Sequence, residues 1–107
     1  MKNLVHIRGQ VAWEVSPSKG GYLAVCPTLK LSLEGKSFGE LMQLIAEGLD
    51  LFLRDLCRSG ELEAFLREQK WSATESVPQR TANVRFDLPF IPRLNRRFRH
   101  DQALAFN

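Results

Sequence analysis

The residue types that perform covalent, acid–base or metal chemistry are few in this chain, and their spacing does not bring them together. The histidines are His6 and His100, and the cysteines are Cys26 and Cys57. A zinc or redox site needs thiolates or imidazoles at short, regular spacing, and no such spacing occurs here. Cys26 falls in an apolar strand-like run and Cys57 at the end of a helical pattern, so both read as buried, reduced thiols. Glu14 and Glu34 are the acids on the strand-like stretches of the first third. A pair of carboxylates on such strands is how a nuclease would hold a divalent ion, but with no further acid beside them both read as solvent-facing. Gly20-Gly21 leads into a strand-like run, where a phosphate-cradling loop would lead into a helix. No catalytic group, metal site or cofactor is therefore expected, and the chain does not read as an enzyme.

The other chemically suggestive group is basic. Arg93, Arg96, Arg97 and Arg99 surround Leu94 and Phe98 near the C-terminus. Guanidinium groups engage phosphates bidentately and an aromatic ring can stack on a base, so this cluster is a candidate nucleic-acid contact. The charge is unevenly spread. Residues 1–77 hold nine Lys/Arg against ten Asp/Glu, and residues 78–107 hold six against two. The net charge of +3 thus belongs to the end of the chain.

The elements that must position these residues follow from periodicity. A length of 107 residues, with 44% hydrophobic and 25% charged, suits one globular core. Val5, Ile7, Val11, Trp13 and Val15 share one parity, which predicts a strand over residues 4–15 with one buried face. Gly9 interrupts that row, as a bulge or a close neighbour would require. Tyr22–Cys26 and Leu29–Leu33 follow as two further strands, joined too closely for anything but an antiparallel hairpin.

Ser37 and Glu40 form a Ser-x-x-Glu capping box. Beyond it Leu41, Ile45, Leu49, Phe52, Leu53 and Leu56 recur at spacings of three and four, the mark of a long amphipathic helix ending at Gly60. Its polar face includes Asp50 and Arg54, spaced for an i,i+4 pair. Leu44, Gly48 and Leu51 form a second row, read either as a wider buried face or as a self-association surface. Residues 61–71 predict a shorter helix, and Val84, Phe86, Leu88 and Phe90 a fourth strand, with Pro89 at an edge or end.

The expected fold is α+β: an antiparallel three-stranded sheet plus a fourth strand, with one long helix on one face. A single domain spans residues 1–91 and a basic tail residues 92–107. No apolar run reaches the roughly eighteen residues that cross a bilayer, and the N-terminus lacks a signal-like apolar stretch, so a cytoplasmic protein is expected. The free sheet edge and the Leu44/Leu51 row predict a homo-oligomer.

The stretch Gly20-Gly21-Tyr22-Leu23-Ala24-Val25-Cys26-Pro27-Thr28-Leu29, followed by Glu34-Gly35-Lys36-Ser37-Phe38-Gly39-Glu40-Leu41, resembles the HicB-like antitoxin family. The likeness covers roughly residues 4–60. It departs where the family's Pro-Gly-Cys is replaced by Lys30-Leu31-Ser32, and no ribbon-helix-helix or helix-turn-helix follows Ile91. The resemblance implies a truncated ribonuclease H-like fold and a non-catalytic module that sequesters a small ribonuclease toxin or another protein partner. The alternative is a nucleic-acid-binding protein acting through the arginine cluster.

Overall fold

The computed structural model describes residues 3–75 and 84–94. It is a mixed α+β structure with seven strands and two helices among those residues. The elements are β1 (Asn3–Arg8), β2 (Val11–Ser18), β3 (Gly21–Cys26), β4 (Leu31–Gly35), α1 (Phe38–Ser59), α2 (Leu62–Gln69), β5 (Ser72–Ala73), β6 (Val84–Asp87) and β7 (Phe90–Leu94). No helix among them is long and apolar enough to cross a membrane.

The strands form two sheets, of order β5-β1-β6 and β4-β3-β2-β7, where the periodicity predicts one. The stretch expected as a single strand over residues 4–15 is divided at Gly9-Gln10 into β1 and β2, and the expected fourth strand is divided at Leu88-Pro89 into β6 and β7. Pro89 lies between those two, in keeping with its lack of an N–H. The chain separates into two units and passes between them three times, at Gln10/Val11, inside α1 between Ile45 and Ala46, and at Pro89/Phe90.

One unit contains β1, the later turns of α1, α2, β5 and β6. Here β1 pairs parallel with β6, His6 opposite Asp87, and antiparallel with β5. Nothing local in the sequence predicts the parallel pairing of β1 and β6, because it joins segments separated by most of the chain and leaves no turn signal. Gly9 is held against the indole of Trp71, and a Cβ at this position would overlap the ring. Trp71 in turn meets Phe65 edge-to-face at 5.8 Å, and Phe65 meets Phe52 at 5.5 Å. Both helices end in the same way. Gly60 (φ 80) and Lys70 (φ 61) take left-handed conformations, and the paired backbone bonds Gly60 N–H to Cys57 O and Glu61 N–H to Leu56 O form a Schellman motif.

The other unit contains β2, β3, β4, the first turns of α1 and β7. β2, β3 and β4 form the expected antiparallel meander, with Val15 opposite Ala24 and Ala24 opposite Leu33. β7 adds parallel to β2, Trp13 opposite Pro92, so Pro92–Leu94 belong to a strand. Trp13, Val15, Ala24 and Cys26 on one face of the sheet have no solvent exposure. The capping box closes as predicted: Glu40 N–H donates to Ser37 Oγ at 3.1 Å, and Lys36 N–H donates to the Glu40 carboxylate.

Candidate functional site

The Gly-Gly-Tyr segment turns β2 into β3 and brings β4 close to α1. Gly20 has φ 89, a conformation that a side chain disfavours. A Cβ on Gly21 would strike the backbone of Gly35, and a Cβ on Gly35 would lie 2.9 Å from the Leu41 backbone. These glycines let three backbones approach, and Tyr22 then meets Phe38 edge-to-face at 6.1 Å. An open cleft of about 510 Å³ lies beside this turn, lined by Lys19, Gly20, Glu34, Lys36, Glu40 and Leu44 among others. Its charges are balanced, two lysines against two glutamates, and the Glu40 carboxylate is already engaged by the Lys36 N–H.

The opposite face of the same sheet is more distinctive. Strand alternation places Ala12, Glu14 and Ser16 on the face that Trp13 and Val15 do not use. Register then adds Val25, Arg93 and Ser32 beside Glu14, Leu23 and Glu34 beside Ser16, and Ile91 beside Ala12. Ala12, Leu23, Val25 and Ile91 are half-buried, whereas Glu14, Ser32, Glu34 and Arg93 are exposed. The result is an aliphatic strip crossing three strands, bordered by two carboxylates and one guanidinium.

In the first unit, the outward side of β1 and β6 carries His6, Arg85 and Asp87 together with the exposed Leu4. His6 Nδ1 and Asp87 Oδ2 lie 2.9 Å apart, both more than half exposed, and Thr74 N–H and Oγ1–H both donate to the His6 carbonyl. Below the surface, Asp50 is 3% exposed. The periodicity placed it on the polar face of α1, and that placement is corrected: Phe86 N–H donates to its Oδ1 at 2.7 Å, and Arg54 contacts its Oδ2 at 3.0 Å. The i,i+4 pair exists, but its carboxylate is buried and serves a strand, while Arg54 is half-buried.

Of the candidate nucleic-acid residues, Arg93 stands exposed on β7, and Arg96, Arg97 and Arg99 lie outside the described residues, as does His100. Leu44 and Gly48 are half-buried, while Leu51 is 58% exposed. Glu14 and Glu34 share the outer sheet face, but in register they stand two strands apart and one row out of line. Among the described residues no three His, Cys, Asp or Glu side chains gather into a set that would hold a metal ion. Burial pushes both the Cys26 and the Cys57 thiol above the usual range, in Cys26 against the opposing pull of hydrogen bonds from the Leu29 and Thr28 backbone. The aliphatic strip escaped the sequence reading because Leu23, Val25 and Ile91 sit in runs apolar at every position, where alternation cannot show which residues face outward.

These features define a mixed α+β protein with a surface strip of aliphatic side chains and a small open cleft. Compared with known proteins, the chain matches no family model, and no curated protein or solved structure is significantly similar to it.

Proposed function

We propose that this chain is a non-catalytic binding module of the HicB-like antitoxin type, which sequesters a protein partner, a small ribonuclease toxin or another protein, in the cytoplasm. The observation that carries the reading is the strip formed by Ala12, Leu23, Val25 and Ile91, half-buried on the outer face of the four-stranded sheet and rimmed by Glu14, Glu34 and Arg93. Contiguous aliphatic surface with a charged rim is the form of a protein-docking patch. The order β2-β3-β4-α1, with the Gly20-Gly21-Tyr22 turn and the Ser37/Glu40 cap, supports the truncated ribonuclease H-like module that the resemblance implies.

The test pairs this chain with the product of the adjoining reading frame. The expected result is stoichiometric inhibition of a small basic ribonuclease, lost in V25R while the far-UV circular dichroism is unchanged. Either no inhibition by the wild-type chain or undiminished inhibition by V25R contradicts the reading. Arg93, exposed at the start of the basic segment, favours a second reading in which that segment contacts nucleic acid.

A further inference from the structure

We propose that the outer edge of β4 pairs with the same edge of a second copy of the chain, antiparallel and centred on Leu33. β4 and β7 are the two outer strands of the four-stranded sheet, and among the described residues neither takes a further strand. They differ in what they offer. β7 carries Pro92, which has no N–H to give and obstructs an approaching strand, a common protection of sheet edges. β4, Leu31-Ser32-Leu33-Glu34-Gly35, has no proline.

Burial points the same way. Leu31 and Leu33 lie on the face they share with their register partners Cys26 and Ala24. Those partners have no solvent exposure, whereas both leucines are only half-buried. One more strand on this edge would extend the covered face over them.

The sequence of β4 selects the second copy as that strand, because it is complementary to itself in one register. Centred on Leu33, all five residues pair. Leu33 meets Leu33 and each Leu31 meets a Gly35 on the covered face, while each Ser32 meets a Glu34 on the outer face, a hydroxyl opposite a carboxylate. A shift by one residue sets leucines against the polar face. Centring on Glu34 opposes two carboxylates, which is unfavourable in cross-strand pairs. Centring on Ser32 runs the pairing into Lys30, whose φ of 57° is not extended.

Exposed Ser32 allows a test in which two substitutions act with opposite sign. Ser32→Glu would oppose like charges at both symmetric contacts, and Ser32→Lys would oppose unlike ones. At about 0.2–1 kcal/mol per pair, two pairs change the dimer dissociation constant by roughly two- to thirty-fold, upward for S32E and downward for S32K. Light scattering across a dilution series reads this, with circular dichroism to show an unchanged fold. Hydrogen exchange gives a second readout: the amides of residues 31–35 that point away from β3, toward the open edge, should lose protection on dilution, while those bonded to β3 keep theirs. A monomer at every concentration, an equal response of the two variants, or protection of the edge-facing amides of β4 that ignores dilution would overturn the proposal. Toxin inhibition is a separate assay with a separate variant, so either proposal can fail alone.

Discussion

Asp50 and Phe86 stand 36 residues apart in sequence, yet the Asp50 carboxylate accepts the Phe86 backbone N–H at 2.7 Å in a buried setting. β6 is an outer strand of its sheet, with β1 on one side and no further strand on the other among the described residues. An N–H on the open side has no ladder partner, and a buried donor left in that state costs free energy. The α1 carboxylate supplies the acceptor, and Arg54 at 3.0 Å balances its charge. Helix and sheet edge are thereby joined by a specific polar contact as well as by apolar packing.

Asp50→Ala leaves the Phe86 N–H and the Arg54 guanidinium without this partner. Unfolding by urea should show a loss of about 3 kcal/mol, in the range for breaking a buried charged contact from one side. Asp50→Asn, which keeps an acceptor, should lose less. A change under about 0.5 kcal/mol in Asp50→Ala would mean that the contact contributes nothing net.

Gly9→Ala drives a methyl group into the Trp71 ring. The expected cost is about 1–3 kcal/mol, the range for overpacking. Trp71→Ala removes the obstacle, so the two substitutions should be strongly non-additive, with Gly9→Ala costing little in the Trp71→Ala background. Additive losses in thermal melts would place the strain elsewhere.

The two thiols set a pH dependence. Burial raises both acidities' pKa values in the folded chain, so folding favours the neutral thiol. Their contribution to stability is complete below the ordinary thiol pKa, roughly 8.5, and is lost as pH rises above it towards the folded values. Stability measured from pH 8 to 10 should fall less in C26A/C57A than in the wild-type chain, each relative to its own value at pH 7. Cys26, with no solvent exposure, should react with iodoacetamide only as fast as the chain opens. Rapid labelling of native Cys26 at pH 7.5 would contradict its burial.

The basic segment gives a prediction whose design depends on β7. Deleting residues from Pro92 onward would remove part of that strand, so the informative variant is R96A/R97A/R99A with Arg93 retained. If the segment contacts nucleic acid through its four arginines, log–log binding against salt should have a slope of roughly −3 to −4 in the wild-type chain. The triple variant should bring it near −1. A slope unaffected by the substitutions would exclude this segment as the contact.

Local chemistry was legible in the sequence because local forces write it. The capping box at Ser37 and Glu40, the glycine turn before Tyr22 and the stop at Gly60 each depend on neighbours a few residues away and stand where the sequence predicts them, and the antiparallel β2–β3–β4 meander is there too, with β2 running on to Ser18 and the third strand shifted from Leu29–Leu33 to Leu31–Gly35. The parallel pairs β1–β6 and β2–β7 were not legible, since they join residues such as His6 and Asp87, 81 apart, and no turn residue announces them. The division into two sheets depends on the same long-range pairing. Asp50 shows the limit most clearly. Its i,i+4 spacing to Arg54 reads as a solvent-facing ion pair on any helix, and only the arrival of β6, with an N–H that no strand accepts, turns the carboxylate of that pair into a buried joint. Short-range sterics and hydrogen bonds determined the elements; the need to satisfy buried backbone groups across the fold decided how they were joined.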